Sequence, residues 1–266
     1  MKSKPILIVP GEPKSIFFEI FFKSIKRKKF KSPLIIITSV RLLKSEMKKN
    51  NFRKKINLIE VSKINHISLN NFSLNVINVE KKPKLDNKYI TDCFNAAFDL
   101  IKSGFTNKLI NGPINKEKFL KKKFLGITEY ISQKFNTKKT AMLIFNKKLS
   151  VCPATTHIPI KFVSKKIKKE TIKEKIVQID KFFKKYLNLK PKIAITGLNP
   201  HCESISDFNE DQKILKPLIK LLKKRSNLKI FGPYASDTIF LKKNRKRFNV
   251  ILGMYHDQVL TPIKTL

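Results

Sequence analysis

Phe248-Asn249-Val250-Ile251-Leu252-Gly253-Met254-Tyr255-His256-Asp257-Gln258 reads as a short buried strand that runs into a polar, ligand-bearing turn. In an open α/β sheet, binding groups collect just past the carboxyl ends of the strands. A histidine beside an aspartate at that point is therefore a candidate site, with a solvated histidine in a surface turn as the plain alternative.

Two other stretches repeat the pattern. Lys192-Ile193-Ala194-Ile195-Thr196 runs into Gly197-Leu198-Asn199-Pro200-His201, and Leu149-Ser150-Val151-Cys152 runs into Pro153-Ala154-Thr155-Thr156-His157. Three of the four histidines thus follow β-like apolar runs in turns built from Pro, Gly or Asn, while His66 lacks that context and reads as a loop or packing residue. Three neutral imidazoles converging from separate loops would suit a divalent ion such as zinc, cobalt or iron. Their separations of 44 and 55 residues fit no local zinc-finger spacing, so context carries the reading and spacing does not.

Outward from these turns the chain alternates strand and helix. Lys4 to Pro10 predicts a first strand, followed by a helix with Ile16, Phe17, Ile20, Phe21 and Ile25 on one broad apolar face. Strands are expected at Leu34–Thr38, Ile56–Val61, Leu74–Val79 and Lys108–Ile110, and helices at Leu42–Lys49 and Tyr89–Ser103, the latter ending at Gly104. Asn111 to Lys116 opens another helix, and Lys116 could meet an anion there, although a surface lysine is the simpler reading. Lys121 to Thr128 reads as the change of domain. A hairpin pairing Thr140–Phe145 with Leu149–Cys152 is expected next, then a helix over Ile167–Leu187. Asp207 with Glu210 resembles a capping box for a helix reaching Lys224, and a strand at Leu228–Phe231 and the final strand follow.

The length suits one large or two medium α/β domains. Three unpaired-looking cysteines indicate a reducing compartment, and no stretch approaches the roughly 18 apolar residues of a membrane helix, so a cytoplasmic protein is expected. The 58 basic residues against 19 acidic ones invite a nucleic-acid reading. Only six of them are Arg, and the lysines are spread over nearly every element, so solvated surface lysines explain the charge better. The seven glycines are isolated, which rules out a Gly-x-Gly-x-x-Gly turn or a Walker-type loop.

Six motifs occur in order: Gly11-Glu12-Pro13 with Glu19-Ile20; Gly112-Pro113-Ile114-Asn115-Lys116; Thr155-Thr156-His157-Ile158-Pro159; Gly197-Leu198-Asn199-Pro200-His201; Gly232-Pro233 with Ala235-Ser236-Asp237-Thr238; and Met254-Tyr255-His256-Asp257-Gln258. Together they resemble the 4-hydroxythreonine-4-phosphate dehydrogenases of pyridoxal phosphate biosynthesis, from residue 6 to the last residue. The resemblance implies an isocitrate/isopropylmalate-dehydrogenase-like α/β fold. Two α/β/α domains, 1–125 and 126–266, would flank a cleft, and NAD or NADP would bind without a Rossmann fingerprint. It further implies a homodimer with its site near the subunit interface, and oxidation of 4-phosphooxy-L-threonine to a 3-oxo acid that decarboxylates to 3-amino-2-oxopropyl phosphate. His157, His201 and His256 would bind one divalent cation (zinc, magnesium or cobalt), with His256 reaching a site completed by the partner subunit. Thr128 and Lys264 match substrate-binding residues. Lys264, Asp237 and Asp257 are the candidate catalytic groups.

Two departures qualify the resemblance. Ile127 stands where the family usually has a substrate-binding His, which keeps a phosphorylated threonate or erythronate open as substrate. The family also continues beyond the position of Leu266, supplying an Asn and an Arg to the substrate. The expectation from sequence is therefore a chain lacking its C-terminal part and weakened in activity, or even a non-catalytic metal-binding remnant.

Overall fold

In the computed structural model, residues 3–120, 123–137, 139–203 and 208–266 are described. They form two compact units, residues 1–124 and 125–266.

The first unit holds β1 (Ile6–Val9), α1 (Phe17–Arg27), β2 (Leu34–Thr38), α2 (Val40–Lys49), β3 (Ile56–Leu58), β4 (Leu74–Asn78), α3 (Asp86–Lys102), β5 (Leu109–Asn111) and α4 (Lys116–Leu120). Its strands pair in the order β3-β4-β2-β1-β5, all parallel. Runs such as Leu34-Ile35-Ile36-Ile37, apolar on both faces, suit a sheet covered on both sides. Ile8, Ile36, Leu74 and Val76 pack with Phe18, Phe21 and Phe22 of α1 and Leu43 of α2. The buried stripe of α1 is Phe18, Phe21 and Phe22, whereas Ile16 and Ile20, expected on the same face, are 59% and 52% exposed. Positions 18, 21, 22 and 25 follow the i, i+3, i+4, i+7 stripe, and 16 and 20 fall outside it. Helix α3 begins three residues earlier than its periodicity suggested and buries Tyr89, Ile90, Cys93, Phe94, Ala97, Phe98 and Leu100.

The second unit contains α5 (Ile127–Lys134), β6 (Ser150–Pro153), α6 (Val163–Lys166), α7 (Lys169–Leu187), β7 (Lys192–Thr196), α8 (Lys216–Arg225), β8 (Lys229–Tyr234), α9 (Ser236–Ile239), α10 (Lys242–Arg245), β9 (Val250–Gly253) and α11 (His256–Thr265). Its sheet runs β6-β9-β7-β8, again all parallel. Register pairs Cys152 with Leu252 and Leu252 with Ile195, and these three face α7 and α8. One residue back, Val151, Ile251 and Ala194 pair and face Ile239, Val259 and Leu260. The alternation is the period of two that a strand requires.

Three expectations change here. The Thr140–Phe145 arm of the hairpin does not form a strand: a single antiparallel bridge, Ile144 to Val151, is all that pairs. Asp207 of the expected capping box lies outside the described residues, and Asn209 Oδ1 accepts from the backbone N–H groups of Asp211 and Gln212 at 3.0 and 3.2 Å. The chain beyond the last strand is helical, so His256 opens α11 rather than standing in an open turn.

Candidate functional site

Because β6, β9 and β7 are parallel neighbours, their carboxyl ends share one edge of the second sheet. The turns carrying His157, His256 and His201 therefore follow three consecutive strands, about 4.8 Å apart in the sheet.

Backbone and side-chain bonds lock the turns together. Ala154 N–H donates to Gly253 O at 2.7 Å, and Thr155 Oγ1 donates to Met254 O at 2.8 Å, tying the His157 turn to the end of β9. The buried amide of Gln258 ties β9 to β7. Its Oε1 accepts from Met254 N–H at 2.6 Å and Thr196 Oγ1 at 2.8 Å, and its Nε2 donates to Gly197 O at 2.8 Å. Asp211, fully buried, accepts from the backbone N–H groups of Leu198 and Asn199 and from Asn199 Nδ2, at 2.8 to 3.0 Å. These bonds hold Gly197–His201 in a tight turn in which His201 and Cys202 adopt left-handed backbone, φ 54° and 63°. His157 is left-handed as well, φ 43°. Such a conformation is uncommon outside glycine and costs of order 1–3 kcal/mol, so it persists only where the surroundings over-determine it.

The structure brings two of the three histidines together. The rings of His157 and His256 lie 5.7 Å apart between centroids, inclined by 41°. They line a small cavity of about 100 Å³ with Thr155, Thr156, Tyr255 and Asp257. His201 is exposed, and among the described residues no three His, Cys, Asp or Glu side chains are gathered to hold an ion. One chain by itself thus supplies a pair. The pair fits a borderline divalent ion by donor type, while His157 Nδ1, buried without a hydrogen-bond partner, faces Glu129 Oε1 at 3.6 Å.

Of the remaining expected residues, Asp257 shares the cavity with this pair. Thr128 lies in the first turn of α5, half-buried, beside Glu129. Asp257 Oδ1 is 2.8 Å from His256 Nδ1. Asp237 opens α9 and is exposed. Lys264 is exposed near the end of α11, about 12 Å of helix rise beyond His256. Cys202 follows His201 directly in the chain. It is buried in the turn, and burial, with Asp211 and Asp237 nearby, pushes its thiol above the ordinary value.

Three residues escape a reading by motif. Glu129 is next to Thr128 in sequence, Gln258 closes the Tyr255-His256-Asp257 run, and Asp211 follows Glu210. Glu129 and Gln258 have no visible partner in the sequence, because the groups they face lie 28 and 61 residues away. The glycines of the site turns serve close packing: a Cβ on Gly197 would lie 2.7 Å from Asp211 Oδ1, and one on Gly253 2.3 Å from Val259 Cγ1. Volume is a poor guide to the site, since a cavity of about 680 Å³ lies in the first unit, lined by Phe21, Ile25 and Leu34 and rimmed by lysines, with no imidazole or carboxylate.

Residues 29–266 match the family of the pyridoxal phosphate biosynthetic protein PdxA. The chain belongs to that family. It is 33% identical to the 4-hydroxythreonine-4-phosphate dehydrogenase of Sulfurihydrogenibium sp. (strain YO3AOP1), over 98% of this chain and 83% of that protein. It is 25% identical to the D-threonate 4-phosphate dehydrogenase of Pectobacterium atrosepticum, over 99% of this chain and 85% of that one. Among solved structures, the 4-hydroxythreonine-4-phosphate dehydrogenase of Klebsiella pneumoniae superposes with a TM-score of 0.79 at 25% identity, covering 99% of this chain and 85% of that chain. The parallel α/β architecture of the PdxA family, related to that of isocitrate and isopropylmalate dehydrogenases, is thus the fold of this chain.

Proposed function

We propose that this protein is a 4-hydroxythreonine-4-phosphate dehydrogenase of pyridoxal phosphate biosynthesis. It would oxidise 4-phosphooxy-L-threonine with NAD or NADP to 2-amino-3-oxo-4-phosphooxybutanoate, which decarboxylates to 3-amino-2-oxopropyl phosphate. The observation that carries the reading is the row of histidine turns on consecutive strand ends in a chain of the PdxA family. The proposal includes a homodimeric, cytoplasmic enzyme. Among the described residues no helix is long and apolar enough to cross a membrane.

His157 and His256, joined by His201, would hold the divalent cation. Bound there, such a cation polarises the substrate alcohol and stabilises the charge that grows on its oxygen. Thr128, on the first turn of α5, binds the substrate beside that position. Lys264 provides an ammonium for an anionic group of the substrate, and Asp237 a carboxylate at the opening of α9. Asp257 acts on His256, whose Nδ1 it faces. The locked turns contribute orientation: imidazoles fixed before substrate arrives need no reorganisation during the reaction.

A second reading, oxidation of D-threonate 4-phosphate, is favoured by one feature. Ile127 places an apolar side chain directly before Thr128, where it cannot donate the hydrogen bond that a substrate-binding His would, so the substrate contact there is changed. The test offers each phosphorylated acid in turn with NAD or NADP and with zinc, magnesium or cobalt, and follows reduced nicotinamide and released carbon dioxide. Faster turnover of 4-phosphooxy-L-threonine is expected. A preference for D-threonate 4-phosphate would shift the assignment to the second reading, and absence of reduced nicotinamide with both acids would overturn both.

A further inference from the structure

The two facing imidazoles share an arrangement that sequence did not show. Each has a carboxylate on the side of its Nδ1 atom. Asp257 Oδ1 lies 2.8 Å from His256 Nδ1, and Glu129 Oε1 lies 3.6 Å from His157 Nδ1. The second contact is longer than a hydrogen bond, yet both groups are poised for one. His157 Nδ1 and Glu129 Oε2 are each buried without a partner. A shift of about 0.6–0.8 Å would bring the pair to hydrogen-bond length. Thr156 Oγ1 donates to Glu129 Oε1 at 3.3 Å, which holds the carboxylate against the turn. Gly126 leaves the space for this packing: a Cβ there would lie 3.0 Å from His157 Cε1 and 3.0 Å from Glu129 Oε2.

We propose that Glu129 and Asp257 are positioning residues that hold His157 and His256 in the Nδ1–H tautomer and present both Nε2 atoms to the divalent cation. The inference rests on the reading of these histidines as cation ligands. A ring nitrogen that donates to a carboxylate cannot also ligate, so fixing Nδ1–H leaves Nε2 as the one donor, and the carboxylate raises its basicity. Glu129 adds a connection that Asp257 lacks. It follows Thr128 on the first turn of α5, so one turn of helix bears both the substrate contact and the group that orients His157.

The experiment uses the full chain labelled with ¹⁵N on histidine, together with the variants Glu129→Gln, Glu129→Ala, Asp257→Asn, His157→Ala and His256→Ala. Imidazole tautomers are read in the metal-free protein from long-range ¹H–¹⁵N correlations, and zinc affinity from competition with a chromophoric chelator. Circular dichroism checks the fold of each variant. The wild type should show both rings as Nδ1–H. Glu129→Ala should leave His157 a mixture of tautomers and weaken zinc about 10–100-fold. Glu129→Gln, whose amide oxygen still accepts from Nδ1–H, should keep the tautomer and lose less affinity, and Asp257→Asn should act likewise on His256. If both His→Ala variants bind zinc as the wild type does, the ligand reading itself fails. If those variants lose zinc while Glu129→Ala keeps both tautomer and affinity, the positioning role of Glu129 is overturned and the ligand reading stands.

Discussion

The two sheets have the same parallel build and opposite chemistry at their carboxyl edges. In the first unit, polar side chains at the strand ends are absorbed by the chain itself. Thr38 Oγ1 bonds Tyr89 Oη at 2.7 Å, which also accepts from Ser39 N–H, and Asn78 Oδ1 accepts from Val40 N–H at 2.9 Å. Glu12 Oε1 likewise accepts from Asn115 N–H at 3.1 Å. In the second unit the strand ends carry imidazoles whose supporting bonds come from behind, leaving His157 Nδ1 and Glu129 Oε2 unbonded. The difference teaches that a strand end becomes a site when its polar groups are held in place without being used up.

Three substitutions would break or sharpen this contrast. The largest effect is expected from Asp211→Ala, which strips the carboxylate from the His201 turn. It removes charge-assisted bonds to two backbone N–H groups and one amide, so a stability loss of about 3–5 kcal/mol is expected. A urea midpoint unchanged from wild type would show that the turn holds itself. Tyr89→Phe should cost about 1–2 kcal/mol, since it leaves Thr38 and Ser39 with an empty position. Zinc affinity should be unaffected by it, and a parallel loss of affinity would mean that the first edge also supports the site. The smallest effect is expected from Gly126→Ala. Its backbone is extended at φ −165°, so any residue can adopt it, but the new Cβ presses His157 and Glu129 apart by a few tenths of an ångström. Stability should change by less than about 1 kcal/mol, with zinc binding weakened a few-fold in a chelator competition. Unaltered binding would show that the His157 ring is free to yield.

Much of this fold is legible in the chain because it is written locally. Ile35-Ile36-Ile37 and Val250-Ile251-Leu252 declare buried parallel strands by composition, and Ile172, Ile176, Ile179 and Phe183 declare the inner face of α7 by spacing. The histidine turns are visible for the same reason. What is not legible depends on distant partners. The Thr140–Phe145 segment is apolar enough for a strand, yet only Ile144 forms a β-bridge, to Val151, while Ala141, Leu143 and Phe145 pack by their side chains. The left-handed turn at His201 and Cys202 follows backbone that Asp211 braces at Leu198 and Asn199, from thirteen and twelve residues downstream, and no property of Pro200-His201-Cys202 announces it. Glu129 is a helix-start glutamate by every local criterion, and only the return of the chain at His157 gives it a second role.

The helix that carries Asp211 begins with wide, π-type turns over Asp211–Leu215 before it settles into α8. A turn of that kind accommodates one more residue than the regular helix would. From this wide turn the Asp211 carboxylate meets the Leu198 and Asn199 backbone, while Leu215, Leu218, Ile219 and Leu222 stay in the core. Deleting a residue there would let the helix regularise and would rotate the carboxylate off its three donors. At this point the protein can vary side chains more readily than it can vary chain length.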